Sequence, residues 1–323
     1  MDVSPLVQTR AGTARYINGL LRELRQRADL DVEELKFGAA GRGWNLPRDA
    51  AWYPFALARA ARGLDVLHCP TYRGPIVGKT PLVVTVHDLA VLRHPDAFNR
   101  WSREYGPRVI PRVIRAARLV IAVSEFTKRE LNELLGVPAE KVHVIPNGVE
   151  PTFTTEGPAA EGDYVLTVGT LEPRKNLTRV VAAARRAGVE LRVVGARGWG
   201  EVDVRGDGVR WLGEVQDEEL ARLYRGARCV AYASLYEGFG IPVLEAMACG
   251  TPVVTSRGGA TEEVADGAAV LVDPLDPADI AAGIERATWR REELVARGLV
   301  RARAFAWEAV AEATVDVYRE AAA

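Results

Sequence analysis

Cysteine is scarce in this 323-residue chain, and the little there is forms no pattern. Cys69, Cys229 and Cys249 stand 160 and 20 positions apart, which matches neither a metal site nor a disulfide framework. A reduced, cytoplasmic compartment is therefore the expectation. Long apolar runs are missing too. None reaches about 18 residues and no charged-then-apolar leader opens the sequence, so neither a membrane span nor a signal peptide is expected. Charge of one sign is not in excess: 42 basic residues face 43 acidic ones, a formal net charge of −1. No bulk field recruits nucleic acid, and any phosphate must be met by a local site. Lysine itself is rare, five against 37 arginines, so each lysine is worth a reason.

What is present is ordinary globular material: 48% apolar and 26% charged residues. The length suits two domains of roughly 150 residues each. Short Val/Ile/Leu-rich runs occur at Asp65–Cys69, Pro81–His87, Leu119–Val123, Val142–Ile145, Asp163–Val168, Glu190–Val194, Val209–Leu212, Cys229–Ala231, Pro252–Thr255 and Ala269–Val272. They are continuous rather than alternating, as strands buried on both faces are. Helical patterns lie between most of them, at Ala14–Arg27, Arg100–Ala117, Glu125–Leu135, Leu177–Ala187, Asp217–Tyr224, Pro242–Ala248 and Pro277–Ala287. Repeated βα units predict an α/β architecture with parallel sheets.

The stretch Ile145–Asp163 is rich in Pro, Gly, Thr and Glu and reads as a linker. It gives a first domain over 1–155 and a second over 156–306. Two such domains facing each other would bind ligand in a cleft at the carboxyl ends of their strands. Arg290–Ala304 and Trp307–Ala321 have no strand after them, and the last helix, about 307–323, is expected to pack back on the first domain. Only Asp2–Val7 precedes the first helix, so the opening strand is very short or the recorded start is truncated.

The segment Ser234–Ser256, SLYEGFGIPVLEAMACGTPVVTS, reads as a strand end, a glycine loop, a helix and a strand. Gly238 and Gly240 let backbone approach a ligand. Pro242 suits a first helical turn, whose free N–H groups form an anion site. Glu237 and Glu245 flank the loop. A carboxylate facing the cleft suits a vicinal diol; the alternative is a helix-dipole partner at Glu245 and a solvated residue at Glu237. A second segment, DYVLTVGTLEPRKNL at Asp163–Leu177, places Arg174 and Lys175 at a helix start, where the dipole opposes them. A bound phosphate is one reason for cations there; plain surface charge is the other. Asp29-Leu-Asp31 has the letters of a metal-binding D-x-D but reads as a turn, and Glu201-Val-Asp203 is equally weak. No metal or other cofactor is expected.

The run EGFGIPVLEAMACGTPVV resembles the E-x7-E signature of retaining glycosyltransferases of the GT-B fold, especially glycosyltransferase family 4. The resemblance implies two Rossmann-like domains across a cleft and a nucleotide-sugar donor. It implies that Glu245 binds the ribose hydroxyls, that Glu237 contacts the transferred sugar, and that backbone amides near Phe239, Gly240 and Ile241 help hold that sugar. Arg174 and Lys175 resemble the pair that neutralises the donor diphosphate, and the Gly213–Val215 loop resembles the nucleobase region. RAGTARY at Arg10–Tyr16 is similar to the family's glycine loop, with Gly12 and Thr13 offering N–H groups to phosphate; the simpler role for Thr13 is an N-cap. His87, at the end of the strand TPLVVTVHD, matches a histidine beside the transferred sugar. His68 is its competitor, ranked lower as a packed histidine, and Ser124 reads as a cap.

The resulting expectation is retaining, metal-independent hexosyl transfer, with mannose the first guess. The acceptor would be a glycan, a lipid-linked molecule or a small molecule. The alternatives are a GT-B nucleotide-sugar epimerase or hydrolase, and a non-catalytic nucleotide-sugar-binding module. Acceptor determinants are expected in the first domain, where Lys36–Arg48 with Trp44 is a plausible wall. Arg100–Arg118 carries six arginines and would suit peripheral contact with an anionic membrane. An amphipathic helix with a solvated arginine face, disturbed by Pro107 and Pro111, is the plainer reading.

Overall fold

The structure, a computed structural model, describes residues 1–7, 12–39, 42–44, 47–98, 100–198, 204 and 206–323. The chain forms two compact units, Met1–Gly148 with Trp307–Ala323, and Val149–Ala306. The division falls before residue 156 because the end of the linker already belongs to the second unit. The Val149 N–H donates to the Phe305 carbonyl at 2.9 Å, and the Phe153 ring meets Tyr224 edge-on at 5.8 Å.

The first unit is built on a parallel sheet of β1 (Leu67–Cys69), β2 (Leu82–Val86), β3 (Leu119–Ala122) and β4 (Val142–Val144), in that order. Every residue of β1, β2 and β3 is buried, which is why their sequences are apolar without alternation. The opening strand is as short as its sequence. Asp2 bridges Leu35 in parallel, and its N–H donates to the His68 carbonyl at 2.9 Å, so Met1–Val3 occupies the place beside β1. The strand does not run on to Val7. The Asp2 carboxylate accepts the Ser4 N–H at 3.2 Å and the Ser4 hydroxyl at 2.6 Å, and this turn curls Ser4–Val7 into a 3-10 helix.

The first helix is Gly12–Leu24, two residues longer at its start than its apolar pattern, so Gly12 and Thr13 lie inside it and Thr13 is not its N-cap. Arg10 and Ala11 lie outside the described residues. The helix buries Tyr16, Ile17, Leu20, Leu21 and Leu24 in a cluster shared with Trp307, Val310, Val315 and Val317 of the last helix, Trp307–Ala322. The Trp307 indole fills a slot that only glycine leaves open: a Cβ at Gly19 or Gly148 would fall inside the ring. Ser124 caps the helix Glu125–Leu135 by accepting the Thr127 N–H at 3.0 Å. The helix Arg100–Ala116 runs through Pro107 and Pro111 without a break. Arg108 and Arg112, each just after a proline, donate from their side chains to the Glu104 and Arg108 carbonyls one turn back.

The second unit holds six parallel strands: β5 (Tyr164–Val168), β6 (Glu190–Val194), β7 (Val209–Gly213), β8 (Cys229–Tyr232), β9 (Val253–Ser256) and β10 (Val270–Val272). Their spatial order is β10-β9-β8-β5-β6-β7. The chain winds outward from β5 through β6 to β7, then returns to β8 on the other side of β5. The order therefore reverses between β5 and β8, and in such sheets the crevice beyond the carboxyl ends at that reversal binds ligands.

Candidate functional site

Glycines bring the carboxyl edges of β5, β6 and β7 together. The Gly169 N–H donates to the Val194 carbonyl and the Gly195 N–H to the Gly213 carbonyl, both at 2.8 Å. Gly195 has φ 151°, and a Cβ there would fall on the Gly169 carbonyl, so no other residue fits.

Beyond Gly169 the chain makes a 3-10 turn, Pro173–Lys175, before the helix Leu177–Ala187. Arg174 and Lys175 are therefore not in the first turn of that helix, as the sequence suggested. Asn176, left-handed at φ 59°, separates the two elements. Its carboxamide N–H groups donate to the Ala233 carbonyl at 2.8 Å and the Pro274 carbonyl at 2.7 Å, tying the loops after β5, β8 and β10. The Leu235 N–H donates to the Arg174 carbonyl at 2.8 Å. The basic pair is thus held against the loop after β8, at the reversal point.

There the side chains of Arg174, Lys175 and Glu237 meet. Lys175 Nζ donates to Glu237 Oε1 at 2.6 Å and to the Tyr232 hydroxyl at 2.8 Å. Tyr232 donates to the same Oε1 at 2.8 Å. Arg174 donates to Glu237 Oε2 at 3.0 Å and pairs with the buried Glu172 at 2.8 Å. Burial alone would raise the Glu237 carboxyl, but the Lys175 and Arg174 charges and hydrogen bonds outweigh it and hold it at about 2. Burial pushes the Lys175 ammonium down, with Arg174 adding to the effect and Glu237 opposing it. Burial and the Glu237 charge keep the Tyr232 phenol well above its usual range.

Glu245 sits differently. It lies in the helix Ile241–Ala248, is 1% exposed, and accepts the Tyr224 hydroxyl at 2.9 Å. It is packed inside the unit, whereas the sequence suggested a carboxylate facing the cleft or a partner of the helix dipole. The turn into that helix is made by Gly240 at φ 116°, where a Cβ would press on Thr261 Cγ2 at 2.9 Å. Phe239 is buried, its ring edge-on to Phe305 at 5.9 Å, and Ile241 is half-buried. Val215 is half-buried between β7 and the helix Asp217–Gly226, also at the carboxyl edge.

In the first unit, His87 follows β2 at the carboxyl edge and is half-buried. Its Nε2 lies 3.0 Å from the Pro70 carbonyl, which only accepts, so the proton is on Nε2 and Nδ1 carries the lone pair. Burial lowers this imidazole, and the Tyr16 ring meets it edge-on at 4.8 Å. His68 is interior. Its Nδ1 is 2.6 Å from the Tyr318 hydroxyl and its Nε2 is 2.8 Å from Thr85 Oγ1, which is itself 2.9 Å from the Tyr16 hydroxyl. Burial brings it down to about 3. Trp44 is exposed. Asp29 pairs with Arg27 and Arg319, as a surface turn does, and Glu201 and Asp203 lie outside the described residues. Among the described residues, no three His, Cys, Asp or Glu side chains gather as a metal site requires, and no helix is long and apolar enough to cross a membrane.

Sequence reasoning missed Tyr232, Asn176 and Glu172. Tyr232 is hidden in CVAY, which reads as plain buried strand. Asn176 carried the one available signal, since asparagine tolerates the left-handed region at an element boundary.

Two family models match the chain: Glycosyltransferase Family 4 over residues 11–153 and Glycosyl transferases group 1 over residues 150–296. The O-antigen chain mannosyltransferase B of Escherichia coli is 33% identical over 267 residues, covering 73% of this chain and 70% of that protein. The D-inositol 3-phosphate glycosyltransferase of Acidothermus cellulolyticus is 31% identical over 339 residues, covering 91% of this chain and 73% of its own length. Among solved structures, Anabaena Alr3699/HepE in complex with UDP shares the fold with a TM-score of 0.74 at 19% identity, covering 99% of this chain and 98% of that one.

Proposed function

The chain belongs to glycosyltransferase family 4, the group 1 glycosyltransferases with the GT-B fold, and from that membership we propose that it moves a hexose, mannose first, from a nucleoside-diphosphate sugar to a glycan, lipid-linked or small-molecule acceptor. The observation that carries the reading is the meeting of Arg174, Lys175 and Glu237 at the strand-order reversal. In this reading the two cations take the diphosphate, and stabilise it as it leaves, without a metal. Glu237 holds the transferred sugar and Glu245 the ribose. The amides around Phe239, Gly240 and Ile241 support the sugar, and the loop at Val215 meets the base. For the first unit, the family likeness assigns phosphate contact to Gly12 and Thr13 and sugar contact to His87.

The family likeness favours retention. The bond from the anomeric carbon to the β-phosphate oxygen breaks, the acceptor oxygen bonds that carbon on the same face, and the acceptor proton passes to the leaving phosphate. Mannose rests on the names of relatives such as the Escherichia coli protein. We also assign to the helix Arg100–Ala116 a peripheral contact with anionic lipid. Support comes from Arg108, Arg112 and Arg115, exposed opposite the buried Ile110, Val113 and Ile114. Cosedimentation with anionic but not neutral vesicles is the expected result.

The test is a screen of GDP-, UDP- and ADP-sugars with excess EDTA present. Turnover of GDP-mannose, with the anomeric configuration kept in the product by NMR, is expected. Isomerised or hydrolysed donor with no transfer product would favour the epimerase or hydrolase. Activity lost in EDTA and restored by Mn²⁺ would sink the metal-free part.

A further inference from the structure

Tyr232 ends β8, and its ring is 3% exposed among the strand's core neighbours. Its hydroxyl closes a triangle with Lys175 Nζ and Glu237 Oε1: 2.8 Å to each, with 2.6 Å between those two. Donor bookkeeping fixes the direction. An ammonium only donates, a carboxylate only accepts, and a phenol does one of each. Lys175 therefore donates to the Tyr232 oxygen, and Tyr232 donates to Glu237. If the second unit takes a nucleoside diphosphate as proposed above, the ligand draws on the Lys175 ammonium and weakens the shortest hydrogen bond that Glu237 has. The Tyr232 bond is not in competition with phosphate, because its donor points at the carboxylate from a ring fixed in the sheet.

We propose that Tyr232 is a positioning residue that holds the Glu237 carboxylate in place for the sugar while Lys175 turns to the donor diphosphate, an inference that rests on the donor-site reading. It touches Glu237 and Lys175, not the reacting atoms. Tyr232→Phe keeps the ring and removes only the hydroxyl.

The experiment compares the unaltered chain, Tyr232→Phe, Glu237→Gln and the double variant, with the nucleotide sugar that turns over in the donor screen. Tyr232→Phe is expected to lower kcat roughly tenfold, as loss of one hydrogen bond to a charged group does, with donor KM and the Kd of the matching nucleoside diphosphate within about twofold. In the Glu237→Gln background it should cost nothing further, because it acts through that carboxylate. Unchanged kcat overturns the inference. So does a loss of nucleotide binding in step with kcat, or a full additional loss in the double variant, since both mark a structural role. If Glu237→Gln leaves turnover intact, the donor-site reading itself falls, and this inference with it. If Glu237→Gln is crippled and Tyr232→Phe is not, only the inference falls.

Discussion

Arg174, Lys175, Glu172 and Glu237 carry two positive and two negative charges, so the cluster is formally neutral as it stands. A diphosphate entering it competes with carboxylates for both cations. Arg174→Ala and Lys175→Ala should each weaken nucleoside-diphosphate binding more than nucleoside binding. A charged hydrogen bond is worth roughly 1.5–3 kcal/mol, so the selective loss should be about 10- to 150-fold by calorimetry. Glu237→Gln should behave oppositely toward the diphosphate. It removes a competitor for Lys175, so kcat falls while UDP or GDP binds as well as before or better. Weaker binding in that variant would mean that Glu237 does not compete.

The interior histidine makes a separate prediction. His68 has a folded-state pKa of about 3 against an ordinary 6.5. Between those values the unfolded chain binds a proton that the folded chain does not, so stability falls as pH falls. The contribution is complete above about pH 6.5 and declines progressively toward pH 3. Glu237 acts in the same direction in a lower window, from 4.5 toward about 2. Thermal midpoints measured from pH 7 to pH 4 should drop, and His68→Gln should flatten that slope. An unchanged slope would show that other groups control acid sensitivity. Residue by residue, Arg174, Lys175 and Glu237 stood out in the sequence and do meet in space, although the basic pair sits in a 3-10 turn and not at the helix start that drew attention to it. Tyr232 did not, because a tyrosine in a strand looks the same whether its hydroxyl is used or not.

At the scale of elements, the slot around Trp307 is a demanding fit. Gly19 on the first helix and Gly148 before the linker both face the indole. Gly19→Ala forces a methyl into that ring, and overpacking of this kind costs about 1–3 kcal/mol or more. Trp307→Ala leaves a cavity instead, at about 3–5 kcal/mol. The double variant should lose less than the sum, because alanine at 19 then meets open space. Denaturation midpoints showing simple additivity would mean that the contact is not tight. Most elements were readable here. Continuous apolar runs such as LVVTV and LVIA gave the parallel strands, and Gly136 and Gly188 end their helices in the left-handed region. The curl at Ser4–Val7 was not readable, since a local Asp2 turn overrode an apolar stretch. Nor was the unbroken helix through Pro107 and Pro111, two residues whose local preference is to end a helix.

For the whole molecule, two parallel-sheet units were legible from the alternation of strand and helix. The 3-2-1-4-5-6 winding of the second unit was not, because strand order depends on pairings that leave no mark on any single segment. The linker was found, yet the division falls near its start, where Val149 and Phe153 already contact the second unit. The chain passes between units twice, after Gly148 and again after Ala306.

That double passage bears on the order of manufacture. Every strand of the second unit's sheet is synthesised while the earlier unit still waits for Trp307–Ala322. During that interval the faces of Tyr16, Ile17 and Leu20 that the last helix will cover stand open to solvent or to a chaperone. The half translated first is thus finished last. Removing Trp307–Ala322 would strike the amino-terminal unit and leave the later one whole.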